Sequence, residues 1–143
     1  MSKSFVMLVD DETPFVETMT KRLEKRELTV ISASNGEEAL ETLDKNRNLD
    51  VIILDVKMPG MDGIETLQKI KKAYPLNEVI MLTGHGTMES AIEGMKLGAY
   101  DFLMKPCDID QLIRKVESAT QKKRDHEDRI REAQVMKTLS ERG

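Results

Sequence analysis

A chain of 143 residues sets 22 Lys and Arg against 26 Asp and Glu, for a formal net charge of −4. That length suits one domain with an appendage, and the acidic balance argues against a nucleic-acid-binding surface. The single cysteine rules out an internal disulfide and points to a reducing, cytoplasmic setting. The one short apolar run before Asp10 is too brief for a signal peptide or a membrane span.

The first apolar run, Phe5–Val9, ends in Asp10-Asp11-Glu12. Thr13 as N-cap and Pro14 at the first helical position then predict a helix over 14–26. A second run at 29–31 leads to Asn35-Gly36-Glu37-Glu38, a capping-box start with Glu three residues after the cap. The third run, 51–54, ends at Asp55, and Asp62-Gly63-Ile64-Glu65 opens the next helix in the same way. The fourth, 79–82, ends at Thr83; a helix over 88–96 follows Thr87. The fifth, 102–104, ends at Lys105, and Asp108 opens the last helix.

The runs are short, apolar and without alternation, as strands buried on both faces of a parallel sheet are. Strand followed by helix, five times, predicts an α/β fold: a doubly wound, five-stranded parallel sheet flanked by five helices, flavodoxin-like, with the last helix extended. The extension reads as a separate regime. Residues 1–107 carry 13 basic and 18 acidic residues, whereas 108–143 carry 9 and 8. We place the domain over 1–120 and a charged helical extension or linker over 121–143. Asp125→Arg129 and Glu127→Arg131 are expected as i,i+4 pairs along it.

In a parallel sheet every strand's carboxyl end lies on one edge, where ligands of open α/β sheets bind. Asp10, Asp11, Asp55, Thr83 and Lys105 therefore converge, although up to 95 positions separate them. Three carboxylates suit a hard divalent cation such as Mg²⁺. Lys105 and Thr83 suit the oxygens of a transferring phosphoryl group. A carboxylate can be the nucleophile, and Asp55, alone at its strand end, is the candidate.

Four segments carry a resemblance: Val9-Asp10-Asp11-Glu12, Leu54 through Gly63 (LDVKMPGMDG), Leu82-Thr83-Gly84-His85-Gly86, and Gly98 through Pro106 (GAYDFLMKP). Together they resemble the receiver domain of two-component response regulators over about residues 4–120, most of all receivers fronting nitrogen-regulator-type activators. No ATPase or helix-turn-helix module accompanies them in this chain. The resemblance implies that Asp55 accepts a phosphoryl group from a sensor histidine kinase or phosphotransfer protein. It further implies Mg²⁺ held directly by Asp11 and Asp55, by Asp10 through a water, and by the Lys57 carbonyl. Thr83 and Lys105 would hold phosphoryl oxygens, Phe102 would rotate as Thr83 moves, and Lys105-Pro106 would be cis. The family reading is of a regulatory domain that catalyses its own phosphorylation and dephosphorylation rather than a turnover enzyme.

Lys57 and His85 lie two residues beyond Asp55 and Thr83, and we read them as tuning the lifetime of the acyl phosphate. Met58 and Met61, on the loop after Asp55, are candidates for kinase contact. The tail shows a heptad trace of Ile109, Val116, Lys123, Ile130 and Leu112, Ala119, His126, Ala133, interrupted at Lys123 and His126, suggesting a homodimer or partner contact. Two rivals remain: a Mg²⁺-dependent phosphohydrolase with an aspartyl nucleophile, and a non-phosphorylated binding module. A dinucleotide-binding role fails for want of a Gly-rich loop after the first strand.

Overall fold

The computed structural model describes residues 3–58, 60–84 and 87–142. Five strands, β1 (Phe5–Val9), β2 (Thr29–Ala33), β3 (Val51–Asp55), β4 (Glu78–Thr83) and β5 (Asp101–Met104), pair in parallel in the order β2-β1-β3-β4-β5. Between them run α1 (Thr13–Lys25), α2 (Gly36–Lys45), α3 (Gly63–Ala73) and α4 (Met88–Lys96), and α5 (Ile109–Arg142) closes the chain. The sheet is covered on both faces, and the apolar runs read without alternation for that reason. Met7, Val9, Ile52, Leu54, Val79 and Met81 pack toward α2 and α3, with Ala39, Leu43, Leu67 and Ile70. Val6, Leu8, Val51, Ile53, Ile80 and Leu82 pack toward α1 and α5, with Met19, Leu23, Leu112 and Val116.

The helix starts follow local chemistry. Asn35 and Asp62 side chains accept the N–H groups of Glu38 and Glu65, as the capping-box pattern predicts. The first helix differs by one residue: Glu12 is its N-cap and Thr13 lies inside it. The physical reason is Asp10, whose Oδ1 accepts the Glu12 N–H at 2.8 Å and fixes the turn one residue earlier. Gly63 opens α3 against the end of β3, where a Cβ would stand 2.6 Å from the Asp55 carbonyl oxygen. Only a residue without a side chain lets the helix close so tightly behind Asp55.

Two expectations change. Met58 is buried and belongs to the α2–α3 side of the core, so it is not available to a kinase. Lys123 does not interrupt a seam: it is 5% exposed, and its Nζ lies 3.2 Å from Asp50 and 3.3 Å from Glu127. Glu127 therefore turns to Lys123 and Arg131 to Asp128, in place of the expected Glu127→Arg131 pair. A buried ammonium needs anions, and it recruits the nearest.

Asp50, just before β3, also accepts the Phe5 N–H at 2.8 Å and an Arg124 N–H at 3.1 Å. Glu78, at the start of the neighbouring strand β4 and equally buried, is 3.5 Å from Lys71 and 3.3 Å from Lys122. Three consecutive basic residues of α5 thus grip two buried carboxylates at the amino-terminal edge of the sheet. From Asp128 to Arg142 the helix is exposed throughout. Asp50→Ala would leave the Lys123 charge buried with only Glu127 beside it. We expect it to lower the unfolding free energy by about 3 kcal/mol, read as a shift of the urea midpoint; an unchanged midpoint would show that the clamp contributes nothing to stability.

Candidate functional site

The strand order reverses direction around β1 and β3, and the crevice at their carboxyl ends is where such sheets bind ligands. Asp10 follows β1, Asp55 ends β3, Thr83 ends β4 and Lys105 follows β5. The carboxylates of Asp10, Asp11 and Asp55 bring one oxygen each within 4.8 Å of one another. Asp10 and Asp55 are buried and Asp11 is exposed. Lys105 enters from the other side of the crevice. Its Nζ stands 2.6 Å from Asp10 Oδ2, 3.3 Å from Glu12 Oε1 and 3.8 Å from Asp55 Oδ1. The ammonium also lies over the Phe15 ring, 4.2 Å from its centroid, where the π face favours a cation.

A cleft of about 270 Å³ opens above these groups, lined by Glu12, Asp55, Lys57, Gly84, Thr87 and Lys105. Lys57 is exposed, and its backbone N–H points to Asp55 Oδ1 at 3.4 Å. Thr83 is buried; its hydroxyl bonds Thr87 Oγ1 and lies 3.1 Å from the Gly84 carbonyl. Phe102 is half-buried on β5, packed against the α2–α3 side of the core. His85 lies outside the described residues. The Lys105-Pro106 peptide is cis. Sequence reasoning missed Glu12, Phe15 and Thr87. Glu12 sits beside the acid pair it was read with, but its partner is 93 positions away and carries no local signal.

Electrostatics single out Asp55. Burial pushes the Asp55 carboxyl up and the neighbouring Asp10 charge adds to it, while Lys105 and the Lys57 N–H pull down, leaving a pKa of about 6. For Lys105, burial works against the charge. The hydrogen bond to Asp10 and the attraction of Asp55 outweigh it, and the ammonium is held above the usual lysine range. Burial also raises the Cys107 thiol, so Cys107 is a poor nucleophile beside the site.

Comparison with known proteins identifies the family. The family model described as the response regulator receiver domain matches residues 6–117. The chain belongs to the receiver domain family. Among curated relatives it is 37% identical over 119 residues to the DNA-binding transcriptional regulator NtrC of Escherichia coli K12, covering 83% of this chain and 25% of that protein. This receiver therefore spans about a quarter of the length of the curated relatives it matches. Among solved structures, a response regulator receiver domain protein from Clostridium thermocellum superposes with a TM-score of 0.82 at 35% identity, over 85% of this chain and 97% of that one. The receiver domain of NtrX from Brucella abortus gives 0.76 at 32% identity, over 81% and 98%. Among the described residues, no helix is long and apolar enough to cross a membrane.

The raised Asp55 carboxyl has a stability consequence with a definite sign. Its folded value, about 6, lies above the ordinary 3.8. Protonation therefore favours the folded state, fully below about pH 4, and the advantage is lost as pH rises through about 6. Asp55→Asn abolishes that titration. Without divalent cations, the unfolding free energy of the variant minus that of the parent should rise by roughly 2 kcal/mol between pH 4 and pH 7.5. Paired denaturation curves read it, and a difference flat with pH contradicts the crowding of charge at Asp55.

Proposed function

We propose that this receiver is a phosphorylation-controlled switch in which Asp55 is the phosphoacceptor. The observation that carries this reading is how the Lys105 ammonium is shared. Lys105 sits against Asp10 at 2.6 Å and stays 3.8 Å from Asp55. Asp55 lines the cleft with its carboxylate met, among the described residues, only by the Lys57 N–H at 3.4 Å and Lys105 at 3.8 Å, which supports it as the nucleophile. An Asp55 oxygen would attack the phosphorus of a phosphohistidine on a sensor histidine kinase or phosphotransfer protein. The O–P bond forms as the N–P bond breaks, and the electron pair leaves with the imidazole nitrogen. Lys105 would neutralise charge on the phosphoryl oxygens, and Thr83 would donate to one of them. About −1.5 to −2 charges then stand where one carboxylate stood. Phe102 would rotate as Thr83 moves.

The acidic trio suits Mg²⁺. Asp11 and Asp55 would hold the ion directly, with the Lys57 carbonyl. Asp10, whose two oxygens are already engaged by Lys105 and the Glu12 N–H, would act through a water. Bound there, the ion would supply charge neutralisation for the phosphoryl oxygens. The cytoplasm fits such a pathway, and neither nucleic acid nor membrane is required as a direct partner. The exposed Ile130, Val135, Met136 and Leu139 of α5 support a homodimer or partner contact as the use of the extension.

Intact mass after incubation with Mg²⁺ and acetyl phosphate tests the central step. One phosphoryl adduct is expected, absent in Asp55→Asn and without Mg²⁺; an adduct retained in that variant refutes the assignment. The same time course reads the lifetime of the adduct. Lys57→Ala and His85→Ala should change its decay rate, and identical decay in both removes them as tuning residues. Sedimentation should find a dimer that Leu139→Glu with Met136→Glu dissociates; a monomer in both phosphorylation states excludes the dimer.

A further inference from the structure

Thr87 occupies the N-cap position of α4, where a threonine hydroxyl ordinarily accepts a backbone N–H of the first turn. Here it makes no such bond. Its oxygen faces back along the chain instead. It accepts the Gly84 N–H at 3.0 Å and shares a hydrogen bond with the hydroxyl of Thr83. The Thr83 hydroxyl is the group that must reach the phosphoryl oxygens in the reading above. Yet Thr83 is 1% exposed, whereas Thr87 and Gly84 line the cleft. The buried Thr83 hydroxyl is thus tied to a residue that lines the cleft.

We infer that the Thr87 hydroxyl is a latch on Thr83: it fixes the Thr83 hydroxyl away from the cleft in the resting state, and this bond must break before Thr83 can bind a phosphoryl oxygen. Thr87 is then a positioning residue that sets the resting bias of the switch, and the inference rests on the proposed role of Asp55. With that bond broken and the side chain buried, the Gly84 carbonyl, 3.1 Å from Thr83 Oγ1, is the partner left to the Thr83 hydroxyl among the described residues. Thr87 is half-buried and open to the cleft, so water can replace Thr83 as its partner.

Beryllofluoride, a stable analogue of the aspartyl-bound phosphoryl group, provides the test on the full chain with Mg²⁺. Thr87→Val removes the hydroxyl's bond to Thr83 together with its contacts to the Gly84 N–H and carbonyl; the Thr83 bond belongs to the resting state only, so the variant should bind beryllofluoride about three- to tenfold more tightly than the parent. Thr87→Ala, which adds no bulk, should show the same gain, and Thr87→Ser should restore the parent affinity. In a Thr83→Ala background, Thr87→Val should have no effect, because the group it releases is gone. Unchanged or weaker binding in both Thr87→Val and Thr87→Ala overturns the latch while leaving the Asp55 reading intact. A gain that persists in the Thr83→Ala background also overturns it, because the effect would not pass through Thr83. No beryllofluoride binding by the parent chain overturns the Asp55 reading, and the latch with it.

Discussion

One ammonium facing three carboxylates is the constraint on which the site depends. Lys105 reaches Asp10 across 95 positions of sequence, and the parallel sheet makes that contact possible by delivering both strand ends to one edge. A single positive charge cannot neutralise Asp10, Glu12 and Asp55 together. It settles on Asp10, and Asp55 is left buried, close to another acid and with a raised affinity for protons. The same Asp10 binds the Glu12 N–H and so sets where α1 begins. That start places Glu12 and Phe15 around Lys105. Helix entry and site electrostatics therefore rest on one side chain.

Strand β3 and its approach hold two buried acids five positions apart with opposite fates. Asp50 is saturated: a backbone N–H, Lys123 and Arg124 all bind it, and it fastens α5 to the sheet. Among the described residues, Asp55 has only a long contact to Lys105 and one backbone N–H. Both acids are nearly inaccessible to bulk water, so burial does not distinguish them. What distinguishes them is the number of positive partners, and the acid that lacks them is the one facing a cleft.

Much of this was legible in the amino-acid order. The five apolar runs became the five strands, and Asn35 and Asp62 cap helices as their capping-box spacing indicated. Asp10, Asp11, Asp55 and Lys105 come together because parallel topology leaves strand ends no alternative. The features that escaped depend on side-chain direction across long separations. Lys123 looked like a fault in an apolar seam because its partner, Asp50, lies 73 positions away. Met58 looked available on a loop, but the loop folds it inward. Thr87 was visible as a helix start, and only the geometry reveals that its hydroxyl bonds backward.

The clamp at the amino-terminal edge also makes α5 a lever. Lys122, Lys123 and Arg124 fix the helix where it leaves the sheet, and no proline or internal glycine breaks it before Arg142. From Asp128 onward it projects roughly 22 Å at 1.5 Å per residue. A tilt of about 10° about the clamp, roughly 28 Å from the tip at that same rise, moves the tip by about 5 Å. A small rotation at the fulcrum thus becomes a displacement at the tip as large as a side chain.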